Sequence, residues 1–218
     1  MKRRTMLRWI AASGAAGASG IISRALAKGD VPSGVHSLEG TLQVNGAAAK
    51  VGTPVVVGDK VATGPKSQAV IVVGKDAFLA RSQTTIEFKG SSGVLHDMLV
   101  ATGSVLSVFS KKPMAIQAAS ASIGIRGTGA YLEVLPDEVY FCLCYGDASV
   151  EGPGMESAKL VHTTHHEEPL SMRMDGSVMR VAAGGFRNHT DAELIMLESL
   201  CGREPPFLKD GTYPAKKY

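Results

Sequence analysis

The chain has 218 residues, 44% of them hydrophobic and 20% charged, with a formal net charge of +3. That length and apolar content suit one ordinary globular unit whose core needs no disulfide framework. The positive excess sits in the first 27 residues, where Lys2, Arg3, Arg4, Arg8 and Arg24 face no acid; taking those five from +3 leaves −2 for residues 28–218. A mildly acidic body is a poor match for nucleic acid or an anionic lipid surface, so neither is expected as a partner.

Residues 1–27 read as an export signal. A basic start with an arginine pair (Arg3-Arg4) is followed by Met6-Leu7, a mildly apolar Gly/Ala-rich stretch from Trp9 to Ser23, and the A-x-A site Ala25-Leu26-Ala27. The pattern resembles a twin-arginine (Tat) signal, with Lys2 where a Ser or Thr is usual. The apolar run is short of the ~20 residues that a membrane span needs and is interrupted by Arg24. Export, and hence a periplasmic location, is the expectation. A linker over 28–36 follows.

From Ser37 to Phe88 the sequence is a series of short apolar runs broken by turn residues. Thr41–Val44 ends at Asn45-Gly46, a hairpin signal; Pro54–Val57 ends at Gly58-Asp59; Lys60–Ala62 ends at Gly64-Pro65. Ala69–Val73, Ala77–Ala80 and Thr85–Phe88 continue the pattern, then Leu95–Val108 and Met114–Ala118. None has the 3.6-residue period of a helix. The spacing predicts an all-β sandwich, roll or solenoid.

Arg126-Gly127-Thr128-Gly129 stands at the entry to the next run, Ala130–Leu135. Two glycines one residue apart predict a positive φ or a close backbone approach there, in a turn of the sheet or at an anion site. Pro136-Asp137 turns the chain into Val139–Tyr145. Alternation puts Val139, Phe141, Leu143 and Tyr145 on one face of that strand, and Tyr140, Cys142 and Cys144 on the other.

Several of these pieces together resemble the FecR domain. They are Gly40-Thr41-Leu42-Gln43-Val44-Asn45-Gly46, Val57-Gly58-Asp59-Lys60-Val61-Ala62-Thr63-Gly64 and Ser67-Gln68-Ala69-Val70-Ile71, then Gly103-Ser104-Val105-Leu106, Gly124-Ile125-Arg126-Gly127-Thr128 and Tyr145-Gly146-Asp147-Ala148-Ser149-Val150. They fall in one collinear order over residues 37–151. The resemblance implies a two-layered, β-roll or solenoid-like exported module that binds a ligand or a partner protein. Signalling members carry an anti-sigma segment and a transmembrane helix ahead of this domain; here a signal peptide is read instead, so the sigma-factor relay is not expected. Ala118-Ala119-Ser120-Ala121 stands where the family usually has Thr-Pro.

Residues 152–218 form a C-terminal extension. Cys142, Cys144, His162, His165, His166, His189 and Cys201 collect in the last third of the chain. Thiolate plus imidazole is a donor set that suits zinc or another transition metal. Cys142 and Cys144 with His189 and either His165 or His166 would satisfy a closed tetrahedral site for one structural ion. Two other readings stay open: a labile Cys142–Cys144 pair in a thiol–disulfide redox protein, and plain buried thiols with solvated histidines. No nucleophile–base motif is present, so a binding module is expected rather than an enzyme.

The last element is a helix. Thr190 is its N-cap, Glu193 completes a capping box and Gly202 stops it. Leu194, Leu197 and Cys201 share one face. Beyond Pro205-Pro206, residues 209–218 are expected to be loose.

Overall fold

The computed structural model describes residues 31–209. The export signal, residues 28–30 of the linker and residues 210–218 lie outside the described residues; the end of the expected linker, Gly34–His36, is instead the start of the first strand, paired with the fifth. Fourteen strands make one open sheet: β1 (Gly34–Glu39), β2 (Leu42–Val44), β3 (Ala47–Ala49), β4 (Lys60–Thr63), β5 (Gln68–Val73), β6 (Asp76–Ala80), β7 (Thr85–Ser91), β8 (Val94–Val108), β9 (Pro113–Ala118), β10 (Ala121–Val134), β11 (Val139–Glu151), β12 (Lys159–Thr163), β13 (Leu170–Asp175) and β14 (Val178–Ala183). Among the described residues, one helix, α1 (Asp191–Leu200), and a 3-10 turn (Pro206–Leu208) complete it. The all-β architecture with a short C-terminal helix is as expected. Among the described residues no helix is long and apolar enough to cross a membrane.

The main path of the sheet runs β14-β13-β11-β10-β9-β8-β7-β4-β2-β3, and β8 with β9 is its parallel pair. Long strands change partners along their length. The first part of β8 pairs β7 and β9, whereas Val105–Val108 pair β6 and Gly103–Val108 pair β10. β10 pairs β9 through Arg126 and β8 from Gly129 onward. These exchanges bend the sheet around an inner core that includes Ile71, Phe78, Ile86, Phe88, Leu132 and Phe141.

An outer core lies on the opposite face. Val70, Val72, Leu79 and Leu106 there meet Tyr131, Tyr140, Cys142 and Cys144, under Leu194, Leu197 and Leu200 of α1. Helix α1 starts as its sequence requires: Thr190 accepts from the Glu193 amide while the Glu193 side chain takes the Thr190 amide. Gly202, at φ +66°, follows its C-cap. Cys201 is half-buried against the outer core.

Three further features depart from the sequence reading. Pro54–Val57 is not a strand: Pro54 has no N–H to give a ladder, and the Val56 amide is taken instead by the Asp59 carboxylate at 2.8 Å. Strands β12 to β14, which were not foreseen, extend the sheet from β11 through residues 159–183. The Arg126–Gly129 stretch lies inside β10 rather than at its entry, and forms bulges against β11. Gly127 has φ +62°, and a Cβ on Gly129 would stand 2.6 Å from the Tyr145 ring, so both glycine requirements are met.

Candidate metal centre

The site begins with the bulge. Ala130 pairs Leu143 but Gly129 pairs Tyr145, so Cys144 is the extra residue on β11. Up to that point alternation holds: Val139, Phe141 and Leu143 face the inner core, and Tyr140 and Cys142 face the outer core. Past it the phase shifts. Tyr145 turns onto the outer core beside Cys144, which corrects its expected place with Phe141 and Leu143. The Cys144 carbonyl leaves the strand ladder and accepts the His166 amide at 3.0 Å.

That bond fixes the histidine turn after β12. Thr163 anchors its start by donating to the Leu143 carbonyl at 2.8 Å. The Glu167 carboxylate accepts from the Thr164 and His165 amides, both at 2.8 Å. His166 adopts φ +59°, which turns its ring inward over β11. His189 arrives on the segment between β14 and α1. That segment is held by Tyr140 donating to the Gly185 carbonyl (2.9 Å), by Arg187 against Glu133 (2.9 Å), and by Arg81 donating to the Asn188 carbonyl (2.8 Å).

Four donor atoms then meet. Cys142 Sγ is 3.5 Å from His166 Nδ1, Cys144 Sγ is 3.4 Å from His189 Nε2, and the two imidazole nitrogens are 3.3 Å apart. All four atoms lie within 4.8 Å of one another, and all four residues are buried. Donors at the usual zinc distances of ~2.0 Å for nitrogen and ~2.3 Å for sulfur, set at tetrahedral angles, stand ~3.3 Å (N to N) and ~3.5 Å (N to S) apart. Three of the six spacings, two N to S and the N to N, match those edges, and the other three lie within 4.8 Å.

Protonation suits coordination too. The Arg187 carbonyl accepts from His189 Nδ1 at 2.8 Å, which leaves Nε2 with its lone pair turned to the thiols. Cys142 is held well below the usual thiol range chiefly by a hydrogen bond from Cys144, which outweighs the effect of burial. Burial, and then its donation to Cys142, hold Cys144 well above that range. The pair therefore gives up one proton readily and the second only when a cation compensates it. The Cys144 thiol also has the Cys142 carbonyl in reach at 3.7 Å.

Aromatic rings close the site. Tyr131 stacks on His189 with centroids 4.5 Å apart, and Phe186 lies 4.8 Å from His166 and 4.6 Å from His189. His165 is placed differently from its neighbour. Its Nε2 lies 2.9 Å from Asp191 Oδ1, and the same oxygen stands 3.1 Å from His166 Nε2. His162 is 70% exposed at its side chain and meets Asp147 at 2.7 Å, outside the cluster. So the structure brings together Cys142, Cys144, His166 and His189, with His165 one layer out.

Asp191 and Tyr131 were not read as site residues from sequence. The one available signal for Asp191 was its position two residues after His189, directly behind the helix cap.

No family model matches this chain, and no curated protein matches it. Two crystal structures of a candidate anti-sigma factor from Parabacteroides distasonis ATCC 8503 show a likeness of fold. Each has a TM-score of 0.47, at 10% and 11% identity, and covers 57% of this chain. This chain spans 59% of the length of those structures.

Proposed function

We propose that this chain is an exported, non-enzymatic binding or signalling module of FecR type, in which one zinc ion clasps the C-terminal part onto the sheet. The observation that carries the metal reading is the buried set of two thiols and two imidazoles, three of whose six spacings are those of tetrahedral edges. With four protein donors there is no open position for water or substrate, so the role is structural rather than catalytic. The ion joins β11, the turn after β12 and the approach to α1, which are 22 to 47 residues apart in sequence.

The FecR part of the proposal rests on the collinear order of the quoted motifs over residues 37–151. The glycines at 46, 58, 103, 127 and 146 within those motifs have φ between +62° and +104°, so the motif is a record of backbone geometry. The partner is a periplasmic protein or ligand. Burial weighs against the redox alternative: both sulfurs belong to residues with 0% exposure, where a partner's disulfide cannot reach them.

Cobalt substitution tests the site. The Co(II)-loaded protein should show thiolate-to-metal charge transfer and the d–d bands of a tetrahedral ion, and Cys142→Ser should lose most of the former. A spectrum of hexa-aqua cobalt alone would overturn the metal reading. Cell fractionation tests export, and a wholly cytoplasmic distribution would overturn that part.

A further inference from the structure

Helix α1 cannot stand alone. Ten residues fall short of the ~12–15 that an isolated helix needs in water, so its order comes from docking. Leu194, Leu197 and Leu200 supply that docking on the outer core, and Glu193 and Glu198 bind Arg81 and Arg203 at its sides. Its first turn, where Glu193 meets Arg81, is also held by two histidines at Asp191.

We propose that Asp191 couples occupancy of the metal centre to the docking of helix α1, and that His165 holds Asp191 in place to do so. This rests on the metal reading given above. His166 faces two ways: Nδ1 lies in the donor cluster, and Nε2 lies 3.1 Å from Asp191 Oδ1. Once Nδ1 gives its lone pair to an ion, Nε2 must carry the ring hydrogen and donate it to Asp191. A carboxylate behind a ligating imidazole raises the ligand's basicity and fixes its ring. Asp191 is the first residue of α1, so the chain from ion to imidazole to carboxylate ends in the helix backbone.

The carboxylate is not free to swing away. His165 Nε2 stands 2.9 Å from the same oxygen, and the His165 ring stacks on Phe207 at 4.4 Å and 24°. Phe207 belongs to the 3-10 turn beyond α1 and is itself buried in the outer core. Asp191 is therefore clamped between a ring that follows the ion and a ring that follows the outer core. Coupling of this kind is reciprocal: the ion steadies the start of the helix, and a correctly placed helix raises affinity for the ion. The ion pairs of Glu193 and Glu198 do not pass through the centre, so loss of metal loosens the first turns without releasing the whole helix.

The experiment compares the full chain as wild type, Asp191→Ala and Asp191→Asn, each zinc-loaded and chelator-stripped. Zinc affinity is read by competition with a chromophoric chelator, and amide hydrogen exchange is read across Leu194–Leu197. In wild type, zinc should slow exchange there by about tenfold or more. Asp191→Ala should lower zinc affinity by about 10- to 100-fold. At saturating zinc its exchange should change by less than about threefold between loaded and stripped forms. Asp191→Asn keeps an oxygen that accepts both N–H groups, so it should restore the exchange response while leaving the affinity reduced.

Asp191→Ala binding zinc within about threefold of wild type, or keeping the full exchange response, would overturn the proposal. So would a wild type that binds zinc with no exchange response, although the metal centre would then stand. A wild type that binds no zinc sinks the metal reading, and this proposal with it.

Discussion

Replacing Gly129 by alanine probes how the strand bulge supports the candidate centre. The new Cβ would lie 2.6 Å from Tyr145 Cε1, 2.8 Å from Cζ and 3.0 Å from the hydroxyl oxygen. The ring has nowhere to go. Tyr145 is buried, packs edge-on to Phe207 at 6.1 Å, and donates its hydroxyl to Glu198 in helix α1 at 2.5 Å. Forcing a methyl into a packed site costs about 1–3 kcal/mol. Retreat of the ring instead would sacrifice a hydrogen bond to a carboxylate, about 1.5–3 kcal/mol. Either route gives a destabilisation of roughly 2 kcal/mol, which in a chain of this size lowers Tm by about 4–8 °C. The assay is urea unfolding followed by circular dichroism, with Gly185→Ala as the control. Gly185 has open space around its ideal Cβ and no positive φ, so its variant should stay within about 0.5 kcal/mol of wild type. If Gly129→Ala unfolds at the wild-type midpoint, the close approach of Tyr145 to the bulge is not a constraint and the reasoning fails.

Tyr145→Phe isolates the hydroxyl: Glu198 keeps Arg203 but loses one donor, and urea unfolding should show a loss of about 1.5–3 kcal/mol. His162→Ala should leave metal content unchanged, because that ring is exposed and paired with Asp147; metal loss in this variant would mean that the cluster is assigned wrongly. Glu138 yields a pH prediction. Burial pushes its carboxyl up, but Ser171, Arg173 and Arg187 together outweigh that and hold it below the usual range. A depressed folded-state pKa gives stability that is present above the unfolded value, near ~4.3, and is lost as pH falls through the folded value. Glu138→Gln should therefore flatten the fall in stability below about pH 4.5, and an acid-unfolding curve parallel to wild type would contradict this.

Much of the sheet was legible because its breaks carry turn chemistry. Asn45-Gly46 has φ +53° and +81°, as a tight hairpin turn requires, and the capping box of α1 is written in four consecutive residues. Clustering of cysteine and histidine was visible as well. What the sequence could not carry was the phase shift at Cys144, since a bulge depends on which residue of β10 stands opposite. The same limit applied to the placement of His165 and His166, which depends on the hydrogen bond from the His166 amide to the Cys144 carbonyl, 22 residues away in sequence. Strands β12 and β14 were missed for another reason. In β12 exposed Leu160 (77%) sits next to buried Val161, and β14 ends on exposed alanines, so neither alternates. Leu170, Met172 and Met174 of β13 do alternate with Ser171, Arg173 and Asp175, and that strand was legible although it was not foreseen. Asp191 was hidden in its role as an ordinary acidic residue at a helix start.

Zinc content of the full chain, purified without a histidine tag, bears most directly on the metal centre. It should be measured by elemental analysis for wild type and Cys144→Ser in parallel. A closed site of two thiolates and two imidazoles predicts about one equivalent per chain in wild type and a small fraction of that in the variant. Wild-type protein carrying less than about one tenth of an equivalent, or a variant carrying as much as wild type, would contradict the account.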